Sequence, residues 1–393
     1  MPPKKAAEEP EERELVLGRP SNNLKMGIVG VPNVGKSSFF NVLSRKNIPA
    51  ENFPFCTIEP NEAIVPLPDP RFNWLVNHYH PRSEKPPTIN IHDIAGLVRG
   101  ASEGAGLGNE FLSHIAAVDG IFHLCRAFEG EEVTHVEGDV NPVRDLEIVE
   151  DELLIKDKNL VRNAVESMRK NVERKVGGRE KLLEFQSLEK VLAFMEEENK
   201  GVRFGSWTTQ DIETLNKYQL LTSKEVVYLV NLSKRDYLRM GNKWLPKIQQ
   251  WVQSRGGGTI IPFSVEFEQE MLDLEMAGED AVKAYMDENP THKSMLPRIL
   301  KTGYQALHLI HFFTCGADEV RGWTIRRGKF AQEAAGVIHS DIMNNFIRAE
   351  VFHFKDLKKE GNDEAVQNAG LKRTEGKKYV IKDGDICFFR HNG

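Results

Sequence analysis

The sequence predicts an α/β protein: a doubly wound sheet that carries a helical-hairpin insert and is followed by a smaller C-terminal domain. Between residues 26 and 264, short apolar runs that end on polar residues alternate with helical patterns. The stretch from 145 to 200 instead repeats apolar residues at helical spacing, and from 304 onward short strands and turns prevail. In a doubly wound sheet the ligand site lies at the carboxyl ends of the strands, so polar residues there are the candidates for function.

The composition is that of an ordinary globular protein. The chain has 393 residues, of which 40% are hydrophobic and 28% are charged, and this length suits two or three domains. No apolar run approaches the roughly 20 residues that span a bilayer, and the charged start lacks the apolar core of a signal peptide. We therefore expect a cytoplasmic protein without membrane contact. Residues 1–22, charged and proline-containing, are predicted to be a disordered tail.

Charge and cysteine content narrow the function classes further. The net charge of −6 argues against a chain that is basic overall, although it allows local basic patches. The four cysteines are far apart and form no C-x-x-C pair. Neither a zinc site nor a disulfide framework is therefore predicted.

The stretch from Gly30 to Ser37 matches the phosphate-binding pattern G-x-x-x-x-G-K-[ST], between an apolar run and a helical pattern. Glycine lets the backbone approach a polyphosphate, and N–H groups at a helix N-terminus point at the anion. Lys36 would bind the β- and γ-phosphates, and the Ser37 hydroxyl would bind Mg²⁺. A surface turn between a strand and a helix is the alternative. The nucleotide-binding residues predicted here are Asn33, Val34, Gly35, Lys36, Ser37 and Ser38.

Further motif residues follow in the order of the G-protein motif series. They are Thr57 in an exposed-looking loop, Asp93 at the start of a D-x-x-G stretch, Asn231 after an apolar strand and Ser264 after the next strand. Thr57 would supply a second Mg²⁺ ligand, Asp93 would hold the metal through water, and the Gly96 N–H would contact the γ-phosphate. An ordinary loop hydroxyl is the alternative for Thr57. Five glycines between residues 96 and 108 predict a mobile loop after the motif.

The base-reading stretch departs from the guanine-specific pattern N-K-x-D. The sequence is Asn231-Leu232-Ser233-Lys234, so a cation stands where guanine recognition needs a carboxylate. A guanine edge without that partner would leave buried polar groups unpaired. Adenine needs one acceptor for its amino group, which the backbone or Asn231 can provide. ATP is therefore favoured over GTP, although Asp236 keeps GTP open if the loop is irregular.

The hydrolytic machinery also departs from the small G proteins, in which a glutamine directly after the D-x-x-G glycine orients the attacking water. That position is Leu97 here, so another group positions the water or intrinsic turnover is very slow. His135, on a loop after the second strand, and His114, on a helix face, are nearby candidates, and a structural role is the alternative for either. Asn33 could add a potassium ligand that neutralises developing charge.

The insert at residues 145–200 is predicted to be an antiparallel helical hairpin whose pattern breaks at Gly177-Gly178. Its alternative is two more helices of the core. Between Arg162 and Lys181 there are seven basic residues against three acids. A basic tip on a projecting arm could contact a phosphate backbone, whereas a solvated charged face would carry the same residues without function.

Longer stretches of the chain match the sequence pattern of one family. In the nucleotide half they are Val29–Ser37, Asn52–Asn61, Asp93–Val98, Gly106–Asn109 and Thr134–Gly138, and in the tail Arg321–Ile325, Ala334–Gly336 and Lys382–Asp385. The chain resembles the Obg-like ATPases, the YchF subfamily, and its tail resembles the TGS domain that closes those proteins. The resemblance covers nearly the whole chain from about residue 23.

The resemblance implies an Obg-type P-loop nucleotide domain at residues 23–284, a coiled-coil insert at 145–200 and a TGS domain of β-grasp form at 304–391. It implies a preference for ATP, potassium-stimulated turnover and a mechanism without glutamine, in which Leu97 is the hydrophobic substitute. The family's flexible active-site histidine falls on His135. Ribosome association in the cytosol is also implied.

By position, the family's adenine contacts fall on Asn231 and Leu232. One departure concerns Lys234, because the family usually has a glutamate at this place. The substitution removes any base-selecting role of that glutamate and disfavours guanine further.

The combined reading is a cytoplasmic, monomeric ATPase switch that contacts the large ribosomal subunit or its rRNA through the hairpin tip and the TGS domain. The catalytic residues would be Lys36, Gly96 and His135, the Mg²⁺ ligands Ser37, Thr57 and Asp93, and further nucleotide contacts Asn231, Leu232 and Ser264. A GTPase of ribosome assembly and an ATP-gated binding adaptor with negligible turnover are the two alternatives.

Overall fold

The computed structural model describes residues 15–46, 61–94, 96, 107–129, 139–174 and 177–392. Two mixed sheets form the centres of two domains, and each sheet has six strands. Helices pack on both sheets, and a long helical hairpin extends from the first.

The first sheet carries the predicted doubly wound arrangement. Its strands are β1 (Lys25–Val29), β2 (Glu62–Pro66), β4 (Thr88–Asp93), β5 (Gly120–Arg126), β6 (Glu225–Asn231) and β7 (Thr259–Phe263), while β3 (Ser83–Lys85) belongs to the second sheet. The order across the sheet is β2-β4-β1-β5-β6-β7, and β2 is antiparallel to β4 whereas the other neighbours are parallel. The predicted fold class is confirmed.

Both faces of this sheet are covered, which is why its central strands read as continuous apolar runs. Val227 and Leu229 of β6 pack in one apolar cluster, and Tyr228 and Val230 pack in the other. The helices that cover the sheet are α1 (Lys36–Ser44), α3 (Leu107–Ala117), α7 (Lys234–Leu238), α8 (Leu245–Arg255), α9 (Val265–Ala277) and α11 (Leu296–Ala306). Helix α6 (Thr209–Tyr218) packs against the hairpin and α10 (Glu279–Glu288) packs against α9, while α2 (Pro70–Tyr79), α4 (Pro142–Glu173) and α5 (Gly178–Glu197) are described below.

Helices α4 and α5 form the hairpin predicted from residues 145–200. They run antiparallel, since Arg162 pairs with Glu196 and Arg169 with Glu189. The turn uses Gly177, whose φ of 99° is a conformation that glycine adopts at little cost. Although α4 has 32 residues, no helix in the described part of the chain is both long and apolar enough to cross a membrane.

The second sheet belongs to the C-terminal domain. Its strands are β8 (Leu309–Cys315), β9 (Glu319–Arg326), β10 (Phe346–His353), β11 (Arg373–Glu375) and β12 (Asp385–His391), and its helices are α12 (Ala331–Ile338), α13 (Ser340–Asn344), α14 (Phe354–Glu360) and α15 (Asp363–Asn368). The strand order is β11-β10-β12-β8-β9-β3. Tyr304, the predicted start of this domain, instead lies in α11, whose apolar face packs on the first domain, so the domain starts at Leu309.

The predicted boundary of the nucleotide domain, residues 23–284, is wrong for residues 67–87. This segment leaves the first sheet after β2 and contributes α2 and β3 to the C-terminal domain before β4 begins. Phe72 and Leu75 of α2 pack in an apolar cluster with Phe313 and Phe352. The apolar spacing of α2 predicts that it packs, but only the structure shows against which sheet.

The predicted disordered tail, residues 1–22, is also wrong for its described part, residues 15–22. The Arg326 guanidinium donates to the carbonyls of Leu17, Gly18 and Arg19, and the Gly18 N–H donates to Asn216 Oδ1 at 2.8 Å. These hydrogen bonds hold the segment in place because they pair its backbone groups with side chains from distant parts of the chain. Residues 1–14 lie outside the described ranges.

Candidate functional site

The phosphate loop joins β1 to α1, and glycines occupy the two points at which it lies closest to the sheet. A Cβ on Gly30 would collide with the Leu124 carbonyl of β5, and one on Gly35 would lie 2.7 Å from Asn231 Nδ2. Gly35 also has a φ of 99° and caps α1 without a side-chain hydrogen bond. The first N–H groups of α1 are therefore left to bind an anion in front of the helix.

A cavity of about 800 Å³ opens before this loop, at the carboxyl ends of β1, β5 and β6. This volume suits a small-molecule ligand. The residues that line it are Asn33, Gly35, Lys36, Ser37, Ser38, Arg126, Phe128, Glu129, Asn231, Leu232, Ser233, Val265, Glu266 and Gln269. Most of the predicted nucleotide-binding residues are thus brought together in one place.

Two of the predicted nucleotide contacts do not line the cavity. Val34 is buried, and its carbonyl accepts a hydrogen bond from Asn231 Nδ2 at 3.0 Å. Ser264 is fully buried, and its hydroxyl accepts from the Phe267 N–H as the N-cap of α9. Ser264 therefore shapes the site through the start of a helix rather than by side-chain contact.

Asn231 connects the two halves of the site. Its Nδ2 donates to the Val34 carbonyl at 3.0 Å, and its Oδ1 accepts from the Val265 N–H at 3.1 Å. The amide nitrogen carries two hydrogens, so one remains for a ligand. Asn231 thereby holds the phosphate loop against the start of α9.

Several lining residues were missed by reading motifs alone. Arg126 ends β5, donates from Nε to the Phe128 carbonyl at 2.9 Å, and places its guanidinium over the Phe128 ring. Glu266 and Gln269 face the cavity from α9. The signal that could have found Arg126 is its place at the carboxyl end of a central strand.

Lys36 is a buried cation in this structure. Its Nζ donates to the Val31 carbonyl at 2.9 Å. Burial lowers the pKa of Lys36 to about 8, and the nearby Asp93 carboxylate offsets part of that effect. A Cβ on Gly96 would lie 3.0 Å from Lys36 Nζ, so Gly96 comes close to the ammonium as a γ-phosphate contact requires.

Asp93 and Ser37 form an oxygen pair suited to a divalent cation. The Ser37 hydroxyl lies 3.4 Å from Asp93 Oδ2, while Asp93 Oδ1 is buried and has no hydrogen-bond partner among the described residues. Burial raises the pKa of Asp93, against the opposing effects of Lys36 and Ser37. Carboxylate and hydroxyl oxygens are ligands that Mg²⁺ prefers, so these residues fit the ion.

Three of the predicted site residues, Thr57, Leu97 and His135, lie outside the described residues. The structure therefore does not place them. His114, the other histidine considered, lies on α3 with an exposed side chain.

At the base-reading end, the charged side chains of Lys234 and Asp236 are paired with other residues and do not form the arrangement that recognises guanine. The Lys234 ammonium pairs with Glu270, and this hydrogen bond raises the pKa of Lys234. The Asp236 carboxylate accepts from Asn242 Nδ2 at 2.7 Å and pairs with Arg239 at 3.2 Å. Asp236 lines a neighbouring depression of about 470 Å³ and not the main cavity.

Comparisons with known proteins show what the chain as a whole is similar to. Residues 25–161 match a family model described as "50S ribosome-binding GTPase", and residues 309–392 match YchF-GTPase_C, described as "Protein of unknown function (DUF933)". The chain is 55% identical over 394 residues to "Obg-like ATPase 1" of Oryza sativa subsp. japonica, and 50% identical over 395 residues to that of Homo sapiens. Each alignment covers 100% of this chain and 98% of the relative.

A solved structure of similar fold is that of the Schizosaccharomyces pombe YchF GTPase. It superimposes with a TM-score of 0.86 at 46% sequence identity. The match covers 96% of this chain and 100% of that one. The similarity therefore extends over both domains and the hairpin.

Because burial lowers the pKa of Lys36 to about 8, we predict that binding of a triphosphate takes up protons above pH 8. With a pKa of about 8 in the free protein, Lys36 is largely neutral at pH 9, whereas a bound polyphosphate favours the charged form. Affinity should then fall by up to about tenfold per pH unit above 8. Calorimetry at pH 9 in two buffers of different ionisation enthalpy would reveal the uptake as a difference in binding enthalpy.

The matched control is Lys36→Arg, which stays charged throughout this range. Whatever its affinity, this variant should show no buffer-dependent enthalpy at pH 9. Equal enthalpies in both buffers for the unaltered chain would contradict the assignment.

Proposed function

The chain belongs to the Obg-like ATPase (YchF) family of P-loop nucleotide hydrolases, and from that premise we propose that it is a Mg²⁺-dependent, ATP-hydrolysing switch that associates with ribosomes. The observation that carries the proposal is the bare N-terminus of α1 facing a large cavity beside Lys36 and Asp93. This arrangement supplies N–H donors, a cation and a carboxylate in the places that a metal-bound triphosphate needs.

Each described residue has a specific task in this proposal. The N–H groups from Asn33 to Ser38 bind phosphate oxygens, and Lys36 exchanges its bond to the Val31 carbonyl for the β- and γ-phosphates. Ser37 and Asp93 hold Mg²⁺, which neutralises charge on the phosphates. Gly96, close to Lys36, presents its N–H to the terminal phosphate. Thr57, which lies outside the described residues, would complete the metal site as a second Mg²⁺ ligand.

The base-reading end favours adenine because the Asp236 carboxylate, which guanine recognition would need, is already paired. Guanine needs a carboxylate that accepts from its ring N–H and amino group, whereas Asp236 accepts from Asn242 and forms an ion pair with Arg239 outside the cavity. Adenine needs one acceptor for its amino group, which the backbone near Leu232 or the second lone pair of Asn231 Oδ1 would supply. Among the described residues, Glu266 favours the alternative, a GTPase, because it is an acidic residue that lines the cavity from α9.

Water positioning is proposed to fall to His135, since the usual glutamine is replaced by Leu97. A leucine side chain has no hydrogen-bonding atom with which to orient water. The expected intrinsic turnover is slow, and K⁺ held near Asn33 would assist by neutralising developing charge.

Ribosome association is proposed to use the hairpin tip and the C-terminal domain, which resembles a TGS domain. The described tip exposes Arg169, Lys170, Arg174 and Arg179, and the chain from 177 returns along the same arm. A basic end on a long arm reaches phosphate groups that the acidic body would repel. The family description "50S ribosome-binding GTPase" is in line with this partner.

Nucleotide preference can be measured directly. We expect calorimetry with Mg²⁺ and K⁺ to give at least tenfold tighter binding of ATP than of GTP, which corresponds to about 1.4 kcal/mol. Glu266→Gln should change the affinity for ATP and the affinity for GTP only slightly. The control, Asp273→Asn on the exposed side of α9, should do the same. Tighter binding of GTP, lost on Glu266→Gln but kept in the control, would make the chain a GTPase instead.

The proposed role of His135 makes a separate prediction. His135→Ala should leave ATP affinity within about twofold while phosphate release falls by 10² or more, the usual scale for a lost general acid–base or water-orienting group. Lys36→Ala, in contrast, should weaken binding itself. Unchanged phosphate release in His135→Ala would end this role. Negligible turnover in the unaltered chain alongside ATP-dependent partner binding would favour the adaptor.

Charge reversal at the hairpin tip tests the ribosome contact. Arg174→Glu with Arg179→Glu should weaken co-sedimentation with ribosomes and reduce its dependence on salt. The control carries the same charge change at exposed lysines away from the hairpin, Lys283→Glu with Lys301→Glu. Equal loss in both variants would reveal a net-charge effect, and no loss in either would remove the tip from the interface.

A further inference from the structure

Residues 67–87 leave the nucleotide-binding sheet and return to it through a narrow neck. Pro66 is the last residue of β2 and Thr88 the first of β4. At the neck, the Leu67 N–H donates to the Pro87 carbonyl at 2.8 Å. The 21 residues between them form α2 and β3, which join the C-terminal domain. We call these residues the crossover segment.

The crossover segment is docked by apolar contacts on one side. Leu75 is fully buried and Phe72 nearly so, and both pack with Phe313 of β8. The Trp74 ring meets the edge of the Phe354 ring at 5.4 Å. Burial of these apolar side chains stabilises the docked state, so the segment is part of the core of the C-terminal domain.

A charged network fixes the start of the same segment. The Arg71 guanidinium donates to Asp69 at 2.8 Å and to Asp383 at 2.9 Å, and His311 Nε2 lies 2.6 Å from Asp69 Oδ2. Burial acts to raise the pKa of Asp69, but the hydrogen bonds from His311 and Arg71 outweigh it and keep that pKa well below its usual range. Asp383 further accepts from the His311 N–H at 3.2 Å. The network therefore links the segment to both β8 and the loop before β12.

The end of the segment is held by strand pairing. Strand β3 runs parallel to β9 from Ser83 opposite Glu319 to Lys85 opposite Arg321. Pro87 then lies so close to Gly322 that a Cβ on Gly322 would be 2.6 Å from Pro87 Cδ. Only glycine permits this approach, so Pro87 is fixed at the neck just before β4 begins.

Strand β4 connects the neck to the metal site, which lies at the opposite end of the strand. Strand β4 runs from Thr88 to Asp93, whose Oδ2 lies 3.4 Å from the Ser37 hydroxyl. The Asp93 N–H donates to the Asn61 carbonyl at 2.9 Å, just before β2. The β2–β4 pair, which is also joined to β1 through β4, is therefore the path along which the position of the segment acts on the Asp93 carboxylate.

We propose that the C-terminal domain, gripped through Asp69, Arg71 and Asp383, sets the position of Asp93, so that metal-bound nucleotide and docking of the crossover segment stabilise each other. The three residues are positioning residues, because none of them lines the nucleotide cavity. The inference rests on the proposed binding of a Mg²⁺-bound nucleotide. It adds a domain-scale consequence: occupancy of the site is communicated to the C-terminal sheet, and a partner bound to that sheet alters metal affinity.

The test compares nucleotide binding with and without metal in the full chain. Asp383→Asn should weaken Mg²⁺–ATP binding by fivefold or more, the lower end of typical coupling between sites, while ATP binding in EDTA stays unchanged. The milder Tyr79→Phe removes a single hydroxyl that donates to Asp363 and should act in the same direction without loss of folding. The control is Asp318→Asn, which removes the fully exposed pair with Arg82 in the same interface and should have no effect.

Hydrogen–deuterium exchange supplies the second readout. Mg²⁺–ATP should slow exchange in β9 and β12 of the unaltered chain, and Asp383→Asn should abolish that protection and speed exchange at Asp93 even without nucleotide. Nucleotide binding with no change in these strands, and no metal-specific loss in either variant, would overturn the inference. Failure of the unaltered chain to bind any purine triphosphate would instead overturn the proposed function, and faster exchange at Asp93 in Asp383→Asn would still show the mechanical link.

Discussion

The nucleotide site depends on how closely the phosphate loop can lie against the sheet. Gly30 meets the Leu124 carbonyl of β5, and Gly35 meets the Asn231 amide of β6, with no room for a Cβ at either place. Asn231 then hydrogen-bonds the loop through Val34. Because the loop is fixed by close contacts with two neighbouring strands, the first N–H groups of α1 are presented to the cavity in a preformed arrangement, which lowers the entropic cost of binding.

The same arrangement gathers groups that are costly to bury without a ligand. Lys36 is buried with a lowered pKa, and Asp93 has a raised pKa and an unpartnered oxygen among the described residues. Buried charges of this kind are tolerated where a ligand supplies the missing partner. Their cost in the free protein is the physical reason for expecting a metal-bound anion, and it explains why Lys36 is held by a carbonyl meanwhile.

The two domains are not built from two consecutive stretches of the chain, although the order of the motifs indicates that they are. The crossover segment places a helix and an edge strand from the first third of the chain in the C-terminal domain, and residues 15–22 bind Arg326 near the start of that domain. Helix α11, in turn, packs its apolar face on the nucleotide side. These exchanged elements make the domain interface continuous with both cores. The C-terminal domain therefore shares buried surface with the nucleotide-binding domain and is not a separate appended module.

The sequence alone determined what depends on near neighbours: the strand–loop–helix of Gly30 to Ser37, the alternation that gives the doubly wound sheet, and the break at Gly177. Local spacing encodes these because the residues involved contact one another within a few positions. It left open the partners of Asp236 and Lys234, and it assigned residues 67–87 to the wrong domain. Only the tertiary structure decided these partners and this domain assignment. Apolar spacing indicates that α2 is buried but not against which sheet. The ion pair between Arg71 and Asp383 joins residues more than three hundred positions apart, which local spacing does not encode.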